Sequence, residues 1–231
     1  MTIGMIVAMR QELESFLAGA GESLGTERVA GYEINQYKIG DNRIYVVESG
    51  VGEISAAAGT QLLITKYAVD MIVNFGVVGG LTADMLLSDV VFVERVVHYD
   101  FDASPFFTDR VPAQYPGYES VYIPTDEKLL ERVCAAFPQL RKVTCASADK
   151  FVDGAEAKRS LHEQFDADIC DMESAGILLT CRRCGVPAIF IKAVSDNAEG
   201  GAEQFEAMID NAAHVCVSVV QEFVNSLNVY I

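Results

Sequence analysis

Tryptophan is absent from the 231-residue sequence, and basic residues are scarce: 17 lysines and arginines stand against 33 aspartates and glutamates, a formal net charge of −16. Such a charge repels the phosphates of nucleic acids and the surface of anionic membranes. The sequence also lacks any run of about 18 apolar residues that would predict a membrane span, and its N-terminus lacks the basic flank of a secretory signal. We therefore expect a soluble, cytoplasmic protein without nucleic-acid or membrane partners.

Clustered metal ligands are missing as well. The three histidines, His98, His162 and His214, are far apart in the sequence, and the pair Cys181 and Cys184 has no second CxxC or nearby histidine pair that would complete a zinc site. Six cysteines without the dense spacing of a secreted scaffold are typical of a reducing compartment. The sequence predicts no metal ion and no cofactor.

Hydrophobic residues make up 51% of the chain, which is enough for a substantial core. Nearly continuous apolar runs predict buried strands at IGMIVA, RIYVVES, MIVNFG, DVVFVERVV, KVTCASA and PAIFIKAVS. Helical periodicity between these runs predicts helices at 53–67, 126–137, 155–165, 172–185 and 203–227. The alternation predicts a three-layer α/β/α sandwich with a mixed, largely parallel central sheet. Because no linker or repeat interrupts the pattern, residues 1–231 are expected to form a single domain.

Residues 99–124 are the least regular part of the sequence, with four prolines and many aromatic residues but no clear period. Long irregular segments in compact domains are often functional. We expect the aromatic residues of this loop either to cover a pocket or to meet a second subunit.

Two glycine clusters follow predicted strands. The first, with Gly50 and Gly52 before a helix, begins like a dinucleotide-binding fingerprint, but Ser55 replaces the third glycine and Asp70 precedes the next strand instead of ending it. The sequence therefore disfavours dinucleotide binding, although a glycine turn at a helix N-terminus suits close approach of a ligand. The second cluster, NFGVVGGL, is interpreted as either a tight exit turn or the mouth of a ligand site.

Four acidic residues lie at or just after the ends of predicted strands: Glu12, Asp149, Glu173 and Asp196. The carboxyl ends of parallel strands meet at one edge of a sheet, so carboxylates that are distant in sequence can converge on one cleft. Each acid alone is more simply explained as a helix cap or a solvated loop residue, whereas their recurrence favours a shared site. In CDMESAGI the same choice arises between capping by Asp171 and Glu173 and the binding of hydroxyl groups.

Seven segments, in order along nearly the whole chain, resemble those of bacterial 5'-methylthioadenosine/S-adenosylhomocysteine nucleosidases, members of the nucleoside phosphorylase and nucleosidase superfamily. They are IGMIVAMRQEL, SGVGEISAAAGTQLL, NFGVVGGL, HYDFDASPF, SADKFV, CDMESAGI and KAVSDNAE. The resemblance implies a homodimeric α/β enzyme that hydrolyses the N-glycosidic bond of adenosine derivatives in methionine salvage, without a metal.

The resemblance also implies roles for individual residues. Asp196 would be the general acid that protonates adenine, Glu12 would position and activate the attacking water, and Glu173 would bind the ribose hydroxyls. Phe151 would stack on the base, beside backbone near Val152 that reads the adenine edge. The other implied pocket residues are Met172, Met9, Val51, Val78, Gly79 and Phe205, with Ala103 and Phe106 reaching in from loop 99–124 of the partner subunit.

The residue types suit this chemistry independently of the resemblance. Cleavage of a ribosyl C–N bond builds positive charge on the sugar and negative charge on the base, so an acid is needed at the base and anions are needed at the ribose. We expect Glu173 both to cap the helix and to bind the sugar, and to stay ionised because of the helix dipole. Asp196 is expected to carry a proton at the moment of transfer because of burial or neighbouring anions.

Two positions depart from the family pattern: Val77 stands where a serine is common, and Lys192 stands where an arginine is common. Lys192 is predicted to share a strand face with Asp196, where its charge would act on Asp196 or orient Glu12. Two alternatives stay open. A phosphorylase would need several donors around phosphate, for which the site segments offer only Arg10 and Lys192, and a catalytically silent nucleoside sensor would keep the fold without turnover.

Overall fold

The computed structural model describes residues 1–107 and 109–227; Thr108, within the predicted loop, and residues 228–231 lie outside the described residues. Ten strands and six helices lie in the described part. The strands are β1 (Thr2–Val7), β2 (Glu22–Val29), β3 (Tyr32–Ile39), β4 (Asn42–Glu48), β5 (Met71–Gly80), β6 (Val90–His98), β7 (Tyr122–Pro124), β8 (Arg141–Ser147), β9 (Ile169–Asp171) and β10 (Ala188–Asp196). The helices are α1 (Arg10–Leu17), α2 (Glu53–Tyr67), α3 (Glu127–Ala136), α4 (Ala155–Phe165), α5 (Ser174–Cys184) and α6 (Ala202–Ser226).

All ten strands belong to one mixed sheet. Its neighbours run in the order β10-β6-β8-β9-β5-β1-β4-β3-β2, with β7 beside β6, and β10 also pairs with β5. The strands β5, β10, β6, β8 and β9 therefore form a closed circuit, while β1 to β4 extend the sheet as an open wing. The predicted mixed α/β class is confirmed. The closure of half of the sheet on itself was not predicted.

Alternate side chains of the central strands enter two cores. On one face, Met5 of β1 and Ile191 of β10 pack with Phe16 of α1 and with apolar residues of α3 and α6. On the other face, Ile6 and Phe190 pack with α2 and α5. This division follows from the two-residue period of a strand, and it explains why strands covered on both faces are apolar at nearly every position.

Three parallel strands bring distant segments to one edge. β1 and β10 both pair in parallel with β5, so the carboxyl ends of the three strands lie together. β9 runs antiparallel to β5 and crosses its end, where Cys170 pairs with Gly79. A register shift between Val194 and Asp196 disturbs the alternation at the end of β10. The segments that follow β1, β9 and β10 therefore converge beyond the end of β5.

The predicted elements are confirmed where burial is continuous. The helix at 53–67 has the bounds of α2 and the helix at 155–165 has those of α4, and all six predicted strands are present. The sequence interpretation missed α1, β2, β3 and β7, whereas the strand end that it placed before Glu173 is that of β9. Of the two interpretations of NFGVVGGL, the tight exit turn is excluded because all three glycines lie within β5, and the ligand-site interpretation remains.

Among the helices of the described residues, none has both the length and the hydrophobicity that crossing a bilayer requires.

Candidate active site

A cavity of about 330 Å³ lies at the carboxyl edge where β1, β5, β9 and β10 converge. Mostly apolar and acidic residues from seven segments of the chain line it. They are Ala8, Met9, Glu12, Val51, Val77, Val78, Gly79, Lys150, Phe151, Val152, Cys170, Asp171, Met172, Glu173, Ser195, Asp196 and Phe205. Mostly apolar walls with a few convergent polar groups are characteristic of small-molecule sites.

Glu12 points from α1 back over the end of β1 and is buried. Its Oε2 accepts hydrogen bonds from the N–H groups of Ala8 and Met9, both at 3.0 Å, and its Oε1 accepts one from the N–H of Val77 at 2.9 Å. Burial raises the pKa of Glu12, while the Val77 hydrogen bond and the charge of Lys192 oppose that rise. The approach requires Gly76, because a Cβ at that position would lie 2.2 Å from Glu12 Oε1.

Asp171 and Glu173 do not share the two tasks, helix capping and hydroxyl binding, that were considered for them. Asp171, and not Glu173, caps α5: its Oδ1 accepts from the Ser174 N–H at 3.2 Å, and its Oδ2 accepts from Ser174 Oγ at 2.5 Å. Glu173 occupies the N-cap position without a side-chain cap hydrogen bond. Its Oε1 instead accepts from the N–H of Gly52 at 2.9 Å, and it faces the cavity. The prediction that Glu173 serves both tasks is therefore wrong.

Lys192 forms a buried ion pair with Asp171, with Nζ 2.7 Å from Oδ2, and does not pair with Asp196 as its predicted strand face suggested. Burial alone would raise the pKa of Asp171, but Lys192 and the hydrogen bonds from Ser147 and Ser174 outweigh it, and the pKa is lowered. Burial and the neighbouring Asp171 raise the pKa of Glu173 to about 7. Burial therefore opposes the helix dipole that was expected to keep Glu173 ionised, and near neutral pH both the charged and the protonated form are present.

The carboxyl group of Glu53, which does not line the cavity, contacts this cluster through Ser147. Ser147 Oγ lies 2.6 Å from both Glu53 Oε1 and Asp171 Oδ1, yet a hydroxyl has only one proton to donate. If that proton goes to Asp171, Glu53 must carry its own proton to donate to Ser147. Burial and the charge of Asp171 raise the pKa of Glu53 to about 8, in agreement with that arrangement. The other oxygen of Glu53 accepts from the N–H of Gly176.

Asp196 is the last residue of β10 and is almost completely buried at the cavity wall. Its Oδ1 lies 2.8 Å from Ser195 Oγ, and its Oδ2 lies 2.5 Å from the Nζ of Lys158, a lysine of α4 whose side chain is completely buried. Lys158 Nζ also donates to the carbonyl of Asn197 at 2.6 Å. The Asp196 carboxylate is therefore one half of a buried ion pair and not an isolated acid.

Sequence reasoning missed Lys158 and Ser195, and it considered Asp171 without its partner Lys192. A signal for Lys158 was present: Lys158, Leu161 and Phe165 are the buried residues of α4, and they stand at the i, i+3, i+7 spacing of an apolar stripe. A lysine within such a stripe needs a buried anion as its partner. Which anion it meets depends on the crossing of α4 and β10, which periodicity does not specify.

The structure places the other predicted residues in three groups. The cavity is lined by Glu12, Glu173 and Asp196 together with Met9, Val51, Val78, Gly79, Phe151, Val152, Met172 and Phe205. Asp149, the fourth acid at a strand end, does not line the cavity, because its Oδ1 caps α2 by accepting from the Glu53 N–H at 2.7 Å. Ala103 and Phe106 lie outside this chain's cavity, and the Phe106 side chain is 85% exposed. Arg10 is exposed and pairs with Glu14.

The loop at 99–124 is organised by stacked rings. Phe101 stacks on Tyr115 with centroids 3.8 Å apart, and His98 stacks on Tyr115 at 5.9 Å. His98 Nδ1 and the Tyr115 hydroxyl are 2.7 Å apart. Burial lowers the pKa of His98, although Asp100 opposes that change. The aromatic residues of this loop therefore pack partly on one another, which leaves Phe106 free to contact other surfaces.

No group of three or more histidine, cysteine, aspartate or glutamate side chains in the described part of the chain is arranged to hold a metal ion.

The fold and the site define a known class of protein. The sequence profile of the phosphorylase superfamily matches residues 2–225, and the chain belongs to that superfamily. Within it, the chain is 31% identical to the 5'-methylthioadenosine/S-adenosylhomocysteine nucleosidase of Hydrogenovibrio crunogenus over 98% of this chain and 99% of the relative. The resemblance inferred from the seven motifs is thus confirmed.

Two solved structures extend this similarity. A mutant futalosine hydrolase of Helicobacter pylori is 26% identical, covers 97% of this chain and 99% of its own, and superimposes with a TM-score of 0.90. The 5'-methylthioadenosine/S-adenosylhomocysteine nucleosidase of Neisseria meningitidis, in complex with methylthio-immucillin-A, is also 26% identical. It covers 97% of this chain and 99% of its own, with a TM-score of 0.88.

Proposed function

We propose that this protein hydrolyses the N-glycosidic bond of 5'-methylthioadenosine, S-adenosylhomocysteine or a closely related 5'-substituted adenosine, and releases adenine. The observation that carries the proposal is the convergence of Glu12, Glu173 and Asp196 on one largely apolar cavity. Nearly full-length similarity to nucleosidases of that specificity supports the choice of substrate. No step of the reaction requires a metal or a cofactor.

The three acids take separate roles. Glu12, held by three backbone N–H groups, binds the attacking water and takes its proton. Glu173 accepts hydrogen bonds from the ribose hydroxyls, which favours its charged form when the nucleoside is bound. Asp196 delivers a proton to the departing base, and charge developing on the sugar is stabilised by the carboxylates around it.

The side walls supply recognition. Phe151 stacks on the base, the backbone near Val152 contacts its edge, and Met172 lies beside the ribose. The remaining contacts to the ribose and its 5' substituent come from Met9, Val51, Val78, Gly79 and Phe205, all of which line the cavity. Flat, apolar walls of this kind suit a purine and a thioether.

The charges around the cavity favour water over phosphate as the nucleophile. Lys150 is the one cation among the lining residues of the described chain, whereas four carboxyl groups line the same space. The charge of Lys192 is engaged by Asp171, and Arg10 lies outside the cavity. A phosphate dianion would meet repulsion from Glu12 without the several donors that phosphate sites use.

A direct assay tests the proposal. Incubation with 5'-methylthioadenosine, with and without phosphate, should release adenine and the free sugar in both cases. A sugar 1-phosphate product would indicate a phosphorylase instead, and tight binding without release of adenine would indicate a sensor. Adenosylhomocysteine, 5'-deoxyadenosine, adenosine, inosine and futalosine belong in the same panel, because futalosine hydrolases share this fold at 26% identity.

Replacement of the acid gives the matching prediction. Asp196→Asn keeps the size of the side chain but cannot deliver the proton, so kcat should fall by roughly 10²- to 10⁴-fold. Glu199→Gln, a nearby exposed change, is the control and should leave kcat within about twofold. Wild-type turnover by Asp196→Asn would contradict the assigned role.

The assembly and location are part of the same proposal. Residues 1–231 act as one nucleosidase domain in a homodimer, in which the loop at 99–124 brings Ala103 and Phe106 to the neighbouring subunit's cavity. The 85% exposure of Phe106 and the 55% exposure of Val111 support a contact with a second subunit. Free thiols at all six cysteines support a reducing, cytoplasmic location. The proposed substrate, 5'-methylthioadenosine, supports a role in methionine salvage.

A further inference from the structure

Lys158 is a buried cation that none of the roles assigned above uses. Its side chain is 0% exposed and that of Asp196 is 2% exposed, so water does not screen their contact. A buried lysine costs stability unless an anion compensates it. The anion that compensates Lys158 is Asp196, the carboxylate to which the proposed reaction assigns proton delivery, so the lysine lies where it can act on that step.

The contact is fixed from both sides. Lys158 Nζ lies 2.5 Å from Asp196 Oδ2 and 2.6 Å from the Asn197 carbonyl, so two acceptors orient the ammonium group. Gly79 makes room for the pair, because a Cβ there would lie 3.1 Å from Asp196 Oδ2 and 3.7 Å from Lys158 Cε. Asp196 Oδ2 accepts from Lys158, and Oδ1 lies 2.8 Å from Ser195 Oγ, which also lies 3.1 Å from the carbonyl oxygen of Val78.

The groups around the Lys158–Asp196 pair leave Lys158 as the proton source for Asp196. Cys170 of β9 interacts with both Asp196 and Lys158, and burial raises its pKa to about 12, so it stays a neutral thiol. Lys150 lines the same cavity after β8, and Glu12 and Glu173 line its other walls. α6 contributes Phe205 to this wall and Gln204, which accepts from the Asn197 N–H, and neither of these titrates. The ammonium in contact with Asp196 is therefore the closest group that holds a proton to give.

We propose that Lys158 is a positioning residue that makes Asp196 an acid: the two side chains share one proton, which passes from Lys158 through Asp196 to the leaving base. This inference rests on the proposed hydrolysis and explains how Asp196 acts as the acid in it. An ion-paired carboxylate has no proton of its own to donate, so a proton must enter it as the base departs.

The proton balance closes over one turnover. The bond between the sugar C1' and the base nitrogen breaks, and its electron pair leaves with the base. One proton passes from Lys158 Nζ to Asp196 and from Asp196 to the base, which leaves a neutral amine beside a carboxylate. Water adds to C1' and gives its proton to Glu12. After product release, solvent removes the proton from Glu12 and returns one to Lys158.

The test uses the full-length protein and two substrates. Lys158→Gln keeps hydrogen-bond donors near Asp196 but cannot supply a proton, and Lys158→Met removes both functions. On 5'-methylthioadenosine, both variants should lose roughly 10²-fold in kcat near pH 8. Their kcat/KM should decline about tenfold per pH unit above neutrality, where the wild-type profile stays flat, because an unsupported carboxyl group must draw its proton from solvent.

A substrate that needs no acid separates this role from a structural one. 4-Nitrophenyl β-D-ribofuranoside releases a stable phenolate, so both variants should cleave it within about threefold of the wild-type rate, since only the acid step has been removed. Arg159→Met, an exposed change at the next position of α4, should leave both rates unchanged.

Each other outcome overturns the inference. Equal losses on both substrates would assign Lys158 to structure alone, and greater activity on the nucleoside would mean that Lys158 restrains Asp196. Wild-type protein that releases no adenine but cleaves the nitrophenyl riboside would refute the proposed substrate, and with it this proton path. Thermal unfolding of each variant guards against misfolding, and the ratio of the two rates in one preparation is independent of the folded fraction.

Discussion

At the scale of single residues, the water-binding carboxylate depends on a missing side chain. Any Cβ at Gly76 would lie within 2.2 Å of Glu12 Oε1, and that oxygen also accepts the Val77 N–H at 2.9 Å. Val77 itself, which departs from the family pattern, acts here through its backbone. The side chain at position 77 therefore influences the site less than the absence of one at position 76.

Gly76→Ala should consequently lower kcat by roughly 10²-fold through displacement of Glu12. Gly31→Ala is the matched control: its φ is also positive, +90°, but nothing lies within 4 Å of a new Cβ there. The control should share any backbone strain and keep its activity. Steady-state kinetics and thermal unfolding of both variants check this, and equal losses of activity would refute the steric explanation.

Glu53 should make the free energy of unfolding depend on pH. Its pKa is raised from 4.5 to about 8, so the native state holds a proton that the unfolded chain releases. The stabilisation is therefore fully present below about pH 4.5 and is lost as the pH rises through about 8. Glu53→Gln mimics the protonated form at every pH.

The wild-type protein should accordingly lose stability relative to Glu53→Gln as the pH rises from about 5 to about 9. Urea unfolding at several pH values measures the difference, and Glu163→Gln, at an exposed position, provides the control. Parallel curves for the wild type and Glu53→Gln would mean that Glu53 is ionised in the native state. Because Glu53 does not line the cavity, kcat should change little.

At the scale of elements, one buried ion pair ties the start of α5 to β10. Asp171→Asn removes the negative partner of Lys192 and should cost about 3–5 kcal/mol in the free energy of unfolding, because it leaves a buried charge uncompensated. Adding Lys192→Met should recover most of that loss. Asp84→Asn, at an exposed pair with Arg141, should cost less than about 1 kcal/mol. Urea unfolding of the single and double variants gives the coupling, and additive losses would exclude it.

Predictability from sequence also differs between elements. The strands β5 and β10 are buried at nearly every position and read as apolar runs, and α2 and α4 carry clear helical patterns. β2 is mostly exposed, so it carries no apolar signature, and β7 has only three residues. Such strands form because neighbouring strands offer hydrogen bonds, which local sequence does not record.

The same distinction applies to the site. Acids at strand ends were accessible from sequence because parallel strands share an edge. The partners Asp171–Lys192 and Asp196–Lys158 were not, since they depend on a register shift at the end of β10 and on where α4 crosses it. Charge compensation was foreseeable as a need, but the identity of each partner required the tertiary structure.

At the scale of the whole molecule, the proposed exchange of loops between subunits can be tested by complementation. Phe106→Ser should raise KM for 5'-methylthioadenosine in the neighbouring site, whereas Leu86→Ser, at another exposed apolar position, should not. Mixing Phe106→Ser with Asp196→Asn subunits should restore sites of native KM, because a mixed dimer combines an intact acid with an intact loop. Sedimentation equilibrium should show the dimer.

Failure of the mixture to regain activity, despite exchange of subunits, would show that Phe106 acts within its own chain or not at all.

β10 carries Asp196 at its end and Lys192 in its middle, is bonded to β5 on one side and β6 on the other, and is buried at all nine positions. Its amide hydrogens should therefore exchange with deuterium only when the entire protein unfolds. Because Asp196 lies on this strand, it should keep its position until the whole protein unfolds. Loss of activity on heating or in denaturant should therefore coincide with global unfolding.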